Sequence, residues 1–315
     1  MEKIAIIGSG LIGQGWATVF AQAGFNVAMY DTSDRATDVA LKAMKTRISD
    51  LVEFNLVAPS DAPKILNRIQ GAESLNEALD GAIYVQECGP ENVDFKREIT
   101  TKLDAIAGVD VPIASSTSGI AASRYCEDIT GRHRCLVVHP INPPHLIPAV
   151  EIVPTPWTGS EIVSQVKELM IQCHRETIVL NKEIDGFVVN RLQGALLQEA
   201  FKLIGSGIVT AEDLDKAVCD GLGLRWSFMG PMQTIHLNAP GGIAQYVERY
   251  GDMYRNFGLG DYSSVDWPQI VDENLGAEFE QKTPVSDIPD AQAHRDRTLM
   301  ALLRHKAEIR ADAAN

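Results

Sequence analysis

The chain has 315 residues, of which 45% are hydrophobic and 22% charged, a balance typical of a globular protein with room for two domains. Its formal net charge of −14 disfavours nucleic acid or an anionic membrane as a partner, because an acidic surface repels both. An anionic substrate would therefore need a local arginine or lysine rather than the general field of the protein.

The cysteines and the N-terminus predict a cytoplasmic protein. Met1 leads directly into an apolar segment without the architecture of a signal peptide. No apolar run approaches the roughly 18 residues that a membrane-spanning helix needs. An odd number of cysteines without C-x-x-C spacing indicates free thiols and no metal site; they are Cys88, Cys126, Cys135, Cys173 and Cys219.

The N-terminal segment carries a dinucleotide-binding pattern. Lys3–Ile7 predicts a buried strand, and it runs into the G-x-G-x-x-G formed by Gly8, Gly10 and Gly13, after which apolar residues recur at helical spacing. Gly8 allows a tight turn, Gly10 lets backbone N–H groups approach a pyrophosphate, and Gly13 lets the helix pack on the strand. This context makes a merely structural glycine turn the weaker interpretation.

The next predicted strand, Asn26–Tyr30, ends at Asp31. A carboxylate at this position accepts hydrogen bonds from the ribose hydroxyls of adenosine and repels a 2′-phosphate. The sequence therefore predicts NAD as the cofactor rather than NADP.

The sequence then predicts two helices, within 36–57 and 63–68, and a strand at 82–86. Glu91 and Lys96 come just after that strand. Ligands of open parallel sheets bind beyond the carboxyl ends of the strands. Both side chains are thus candidates for contact with the nicotinamide half of the cofactor, with a solvated charge at a helix start as the alternative.

Residues 111–114 predict a further strand, which is followed by four consecutive hydroxyl side chains at positions 115–118. Most such side chains cap the next helix or contact solvent. One of the four is expected to face the substrate.

The segment from 135 to 154 contains the strongest candidate for acid–base chemistry. Cys135–Val138 reads as a buried strand that ends at His139, and the alternation over Ala149–Val153 sets Glu151 on the face opposite Val150 and Ile152. Prolines at 140, 143, 144 and 148 exclude a helix between them. His139 and Glu151 are therefore predicted to meet across a stiff turn, where a carboxylate fixes the tautomer of the imidazole.

A last strand is predicted at 177–180, which completes a doubly wound α/β domain through about residue 184. Asp185 then predicts the N-cap of a helix over 186–204 with Leu192 and Leu196 among its core positions. Asn190 is a polar residue within this apolar run, so it is either a buried packing contact or a functional group.

The rest of the chain predicts helices only, as in a substrate-cleft and dimerisation domain. In the loop GLGLRW, Arg225 is a candidate clamp for a substrate carboxylate, because its planar guanidinium offers two parallel donors. The alternative is an arginine packed beside Trp226 or bridging two subunits.

The motifs GSGLIG with Asp31, SSTSG, HPINPP, VEIVP and GFVVNRLQ together resemble the L-3-hydroxyacyl-CoA dehydrogenase superfamily. Within it, GIVTAEDLD, GLGLRWSFMGP and QTIHLNA are similar to the lambda-crystallin type, whose activity is that of L-gulonate 3-dehydrogenase. The likeness extends from the first strand to about residue 242.

This resemblance implies a set of functional positions in the present sequence. His139 would be the general acid/base, Glu151 its partner, Ser118 the hydroxyl that binds the substrate oxygen, and Asn190 the active-site amide. On the cofactor side it implies contacts from Leu11, Ile12, Asp31, Glu91 and Lys96.

The resulting expectation is an NAD-dependent oxidation of a 3-hydroxy acid such as L-gulonate. The implied architecture is α/β, with a Rossmann-type NAD-binding domain over 1–184 and a C-terminal all-helical domain over 185–315 that forms the substrate cleft and a homodimer. Three alternatives remain. An L-3-hydroxyacyl-CoA dehydrogenase would use the same four catalytic residues, whereas an L-carnitine dehydrogenase also acts on a 3-hydroxy acid, and Trp226 offers a ring to its quaternary ammonium. The third alternative is a crystallin-like structural or binding protein, although packing alone does not require the four catalytic residues.

Overall fold

A computed structural model describes residues 2–33, 35–240, 242–257, 269, 273, 281 and 284–313. An eight-stranded sheet organises the first part of the chain, with the strand order β3-β2-β1-β4-β5-β6-β7-β8. The strands are β1 (Lys3–Ile7), β2 (Asn26–Tyr30), β3 (Ile69–Gly71), β4 (Ala82–Glu87), β5 (Ile113–Ser115), β6 (Cys135–Pro140), β7 (Ala149–Pro154) and β8 (Glu176–Val179).

All neighbouring strands pair in parallel except β6 and β7, which form an antiparallel pair. The central strand β1 lies between β2 and β4, so the direction of winding reverses there. A crevice opens at such a reversal, beyond the carboxyl ends of the strands, and this is where open α/β sheets bind ligands. The predicted doubly wound α/β fold is confirmed.

Helices cover both faces of the sheet because its strands are apolar on both sides. Ile4 and Ile6 belong to one buried cluster, together with Trp16 and Phe20 of the first helix. Ala5 and Ile7, which alternate with them along β1, belong to a second cluster on the other face. The helices of this part are α1 (Leu11–Gln22), α2 (Ala36–Glu53), α3 (Ala62–Asn67), α4 (Leu75–Leu79), α5 (Val93–Ile106), α6 (Ser123–Cys126) and α7 (Ser160–Gln172).

Helices alone follow β8 in the described residues. They are α8 (Val189–Gly205), α9 (Ala211–Lys216), a π-helical segment Ala217–Gly223, α10 (Leu224–Trp226), α11 (Pro231–Leu237), α12 (Gly242–Arg255) and α13 (Ile288–Ala313). None of the helices in the described residues combines the length and the apolar character required to cross a membrane.

The chain divides into two compact units, Met1–Asn190 with Asp290–Asn315, and Arg191–Pro289. The C-terminal helix α13, from Asp290 onward, thus belongs to the first unit. The domain boundary at 184 remains a prediction. Arg297 of α13 pairs with Asp50 and Glu53 of α2 and lies over the ring of Phe54 at 5.0 Å. Met300 of α13 belongs to the same buried cluster as Met44 and Ile48 of α2.

Several elements differ from the sequence-based expectation in their boundaries. The short strand β3 was not predicted, because three residues carry too little periodicity. Strand β5 begins two residues late, since the amide of Val111 closes a turn on Gly108 O at 3.0 Å.

The predicted helix start at Asp185 is wrong. Gly186 and Phe187 have positive φ values of 74° and 51°, so the chain turns there, and α8 begins only at Val189. Leu192 and Leu196 are also exposed rather than core residues, at 66% and 39%.

Candidate active site

The antiparallel pair β6–β7 brings the predicted acid–base pair together. His139 and Glu151 are direct partners in the strand register. His139 Nδ1 lies 2.8 Å from Glu151 Oε2, and both side chains are buried, at 5% and 0% exposure. Because Nδ1 is held by the carboxylate, Nε2 on the opposite side of the ring is the nitrogen that remains for proton transfer.

Glu151 also caps the helix that carries Asn190. Its Oε1 accepts the amides of Val188 at 2.7 Å and Val189 at 3.0 Å, which are N–H groups at the start of α8. Burial opposes ionisation of this carboxyl, yet the hydrogen bonds from His139, Val188 and Val189 together lower the pKa of Glu151 below its ordinary value. The group is therefore an anion that faces the imidazole at neutral pH.

The helix start connects this pair to the hydroxyl loop. Asn190, the residue after Val189, donates from Nδ2 to the backbone oxygen of Ser118 at 2.6 Å. The Ser118 side chain is exposed, and its hydroxyl lies 3.4 Å from Glu91 Oε1. His139, Glu151, Asn190 and Ser118 thus form one connected set within the first compact unit.

Glu91 holds the loop that contains Ser118. Its Oε1 accepts the Thr117 hydroxyl at 2.5 Å, the Ser118 amide at 3.0 Å and the Gly119 amide at 3.2 Å. Thr117 in turn accepts the amide of Ile120, which fixes the turn. Direct contact of Glu91 with the cofactor remains a prediction, whereas its hold on the loop is evident from these distances.

Lys96 is buried beneath the loop rather than exposed at the surface. Its ammonium lies 2.9 Å from Glu87 Oε2 and 3.9 Å from Glu91 Oε2. Glu87, which the sequence did not indicate as a site residue, also accepts the Ser115 hydroxyl at 2.5 Å and the Gly89 amide at 2.6 Å. The position of Glu87 at the end of β4 could have identified it, because a carboxylate there lies near the start of the following helix.

The glycine motif has the close approaches that a nucleotide-binding turn requires. A Cβ on Gly13 would lie 1.9 Å from Gly8 O, and one on Gly8, at φ +106°, would lie 2.8 Å from Cys88 O. A Cβ on Gly10, by contrast, would meet no atom within 4 Å. Gly10 is also the N-cap of α1 and offers no side chain to its amides, so this helix start is open to an anion.

Asp31 borders a pocket of about 440 Å³ beside this turn, whose wall also contains Gly8, Gly10, Ser33 and Cys88. Its carboxylate accepts the Ser9 amide and hydroxyl, both at 2.8 Å, and the Ser33 amide at 2.9 Å. Partial burial opposes ionisation, but these hydrogen bonds lower the pKa of Asp31. Burial raises the pKa of the Cys88 thiol to about 12, so this wall holds no thiolate nucleophile at neutral pH.

Two family models together match most of the chain. Residues 3–184 match the NAD-binding domain of 3-hydroxyacyl-CoA dehydrogenase, and residues 186–257 match its C-terminal domain. The chain belongs to the 3-hydroxyacyl-CoA dehydrogenase family. It is therefore an NAD-dependent oxidoreductase, as the sequence predicted.

Proteins with different names are similar to this chain over most of its length. A lambda-crystallin homolog of Bos taurus is 42% identical over 314 residues, which cover 97% of this chain and 96% of the relative. An L-carnitine dehydrogenase of Streptomyces coelicolor is 31% identical, with 96% and 94% covered. Among solved structures, an NAD⁺-dependent 5-formyl-3-hydroxy-2-methylpyridine 4-carboxylic acid 5-dehydrogenase superposes with a TM-score of 0.82 at 29% identity, covering 96% of this chain and 98% of that one.

The residues present fit the NAD that this dehydrogenase family uses. The uncapped start of α1 at Gly10 suits a pyrophosphate, and the Asp31 carboxylate suits a ribose diol. Leu11, in the first turn of α1, is 65% exposed, and Ile12 is half-buried beside it. The contacts of both with the cofactor remain predictions.

Arg225 lies in the second compact unit, on the short helix α10 between exposed Leu224 and Trp226. Its role as a substrate clamp therefore remains a prediction. Within the described residues, no group of three or more histidine, cysteine or acidic side chains is arranged to hold a metal ion.

Proposed function

We propose that the chain oxidises the 3-hydroxyl of a 3-hydroxy carboxylic acid, of which L-gulonate is the representative, to the 3-keto acid. The observation that carries this proposal is the 2.8 Å contact between His139 Nδ1 and the buried Glu151 carboxylate. Such a pair supplies a base with one tautomer, as proton removal from an alcohol requires.

His139 accepts the hydroxyl proton at Nε2, and Glu151 stabilises the imidazolium that this transfer creates. The carboxylate is well suited to this task because it is anionic, buried and fixed by the start of α8. Bound NAD supplies the chemistry of hydride acceptance from the substrate carbon.

Ser118 and Asn190 orient the substrate oxygen in this proposal. The exposed hydroxyl of Ser118 is held near Glu91, and the Asn190 amide braces the same loop through Ser118 O. Polar groups that are fixed before substrate binds stabilise developing charge without reorganising, which lowers the barrier. Gly8, Gly10, Gly13 and Asp31 would hold the pyrophosphate and the adenosine ribose.

A free 3-hydroxy acid is proposed over an acyl-CoA because the motifs of the second half resemble the lambda-crystallin type, and lambda-crystallin homologs are similar over nearly the full chain. Arg225 would bind the carboxylate of such an acid. L-Carnitine is the second candidate, since an L-carnitine dehydrogenase is 31% identical and Trp226, 40% exposed beside Arg225, offers a ring to a quaternary ammonium.

We further propose a cytoplasmic homodimer formed through the second unit. The unit carries many exposed large apolar side chains, which a second copy of the chain would cover in a dimer; they include Leu192, Leu224, Phe228, Met232, Val247, Met253 and Phe257. Five cysteines without a disulfide agree with a reducing compartment. Light scattering at several concentrations tests the dimer, and a monomer throughout would contradict it.

The decisive experiment measures NADH formation with L-gulonate, L-carnitine and L-3-hydroxybutyryl-CoA in parallel, for the wild type and two histidine variants. His139→Gln should lower kcat by about 10²–10⁴-fold with unchanged NADH affinity. His133→Gln, at an exposed position whose contact is made by its backbone, is the matched control and should leave kcat unchanged. Full turnover in a folded His139→Gln protein would remove the assignment of the base.

A further inference from the structure

The loop that joins His139 to Glu151 is held from one side by an arginine. Residues 141–148 form this loop, and Arg175 Nη1 donates to Pro144 O at 3.0 Å and Ile147 O at 3.4 Å. The same guanidinium donates from Nε to Cys173 O at 3.0 Å. One planar group thus ties two points of the loop to the end of helix α7.

The backbone around Arg175 fixes the guanidinium in this place. His174 adopts a left-handed conformation with φ 56°, and the Arg175 amide closes on Met170 O at 2.9 Å. The next amide, that of Glu176, donates to Pro148 O at 2.9 Å. Arg175 therefore lies at the point where β8 begins to pair with the outgoing end of the loop.

The opposite side of the loop rests on the cofactor-binding helix. A Cβ on Gly15 of α1 would lie 2.8 Å from Pro144 Cγ and Cδ, so proline ring and helix backbone are in direct contact. The amides of Leu146 and Ile147 both donate to Pro143 O at 3.0 Å, which makes the middle of the loop rigid. The loop is thus fixed between α1 and Arg175.

The environment of Arg175 indicates that its role is to hold the loop in place rather than to supply a charge. All three of its hydrogen-bond acceptors given above are backbone carbonyl oxygens. Burial lowers the pKa of Arg175, because desolvation disfavours the cation, although it remains charged at neutral pH. A desolvated cation bound to loop carbonyls stabilises one conformation of the loop.

We infer that Arg175 is a positioning residue that sets the distance between His139 and Glu151, an assignment that rests on the function proposed above. His139 is the fifth of the six residues of β6 and Glu151 the third of the six residues of β7, so both lie within two residues of the strand ends that this loop connects. A shift of the loop would therefore change their register or their separation. Small misplacements of a catalytic group cost up to about 100-fold in rate.

A large pocket beside Arg175 makes this inference testable by chemical rescue. The pocket, of about 690 Å³, is lined by Arg175 together with Leu146 and Pro148 of the loop, and by Arg68 of the neighbouring segment. A free guanidinium ion that diffuses into it can replace the side chain removed by Arg175→Ala. Ammonium and potassium lack the planar set of donors and serve as control ions.

The experiment compares Arg175→Ala, Arg175→Lys and Arg68→Ala on a substrate that the wild type oxidises. Arg68 is the matched control, because it lines the same pocket but donates to Ala21 O of α1 at 3.0 Å instead of to the loop. We expect kcat to fall by about 10–100-fold in both Arg175 variants and to remain unchanged in Arg68→Ala. Millimolar guanidinium chloride should restore most of kcat in Arg175→Ala only.

NADH affinity, from fluorescence, separates positioning from loss of structure. It should be unchanged in the Arg175 variants, so that kcat falls without a matching change in cofactor binding. If Arg175→Ala does not fold, Arg175→Lys provides the same comparison of kcat with NADH affinity. Wild-type kcat in the Arg175 variants, or joint loss of kcat and NADH affinity that guanidinium does not restore, would overturn the inference.

The two proposals fail in different ways. If His139→Gln retains activity, the assignment of the base fails before Arg175 is considered. If His139→Gln is inactive while both Arg175 variants turn over like the wild type, only the positioning role is lost.

Discussion

Replacing Glu151 by glutamine tests the central pair without a change of shape. In the glutamine variant the side-chain oxygen can still accept the Val188 and Val189 amides, which lie 2.7 and 3.0 Å from Oε1. The amide nitrogen then faces His139 Nδ1 at the 2.8 Å contact now made by Oε2. Because that nitrogen only donates, Nδ1 must become the acceptor and the ring proton moves to Nε2.

An imidazole that carries its proton on Nε2 cannot take a proton from the substrate at that atom. We therefore expect kcat of Glu151→Gln to fall by about 10²–10⁴-fold, the range for a lost base or a wrong tautomer. One charge-assisted hydrogen bond is also replaced, which should cost about 1.5–3 kcal/mol of stability. Glu151→Ala, which leaves two amides and the imidazole without their acceptor, should cost about 3–5 kcal/mol.

The assay combines initial rates of NADH formation with urea unfolding followed by circular dichroism. Affinity for NADH should stay at the wild-type level in Glu151→Gln, since the carboxylate lies outside the nucleotide pocket. Wild-type kcat in a Glu151→Gln protein with normal stability would refute the claim that this carboxylate sets the tautomer of His139.

Three further results are expected. Gly13→Ala should lose about 1–3 kcal/mol of stability in urea unfolding and bind NADH weakly, because its Cβ would lie 1.9 Å from Gly8 O. Gly10→Ala should keep its stability, because its Cβ would meet no atom within 4 Å, and should lose only NADH affinity. Asp31→Ala should weaken NADH binding by about tenfold and NADPH binding less, measured by fluorescence titration, and an unchanged preference for NADH would contradict the ribose assignment. The free energy of unfolding should also depend on pH in the acid range through Glu151, because the pKa of this carboxyl in the folded protein lies below the unfolded value of about 4.3. The ionised carboxylate therefore contributes fully to stability above the unfolded pKa, and this contribution is lost as the pH falls through the folded pKa. The stability difference between wild type and Glu151→Gln should therefore shrink as the pH is lowered, and a constant difference would show that the lowered pKa of Glu151 does not contribute to stability.

The fold and the main chemical groups of this protein follow from local patterns. Alternating or continuous apolar runs identified seven of the eight strands, the glycine spacing identified the turn before α1, and two strands joined by prolines brought His139 opposite Glu151. Each of these signals is contained within about twenty residues, so side-chain periodicity and backbone restrictions are sufficient to specify it.

Contacts between distant segments were decided by the tertiary structure alone. The sequence placed a helix start at Asp185, but Glu151, 37 residues before Val188 in the chain, supplies the cap, and α8 begins at Val189. The buried pair of Glu87 with Lys96 and the return of α13 to the first unit have the same origin. A sequence specifies which groups can pair, whereas the choice among many possible partners depends on packing, which joins residues that no local pattern relates.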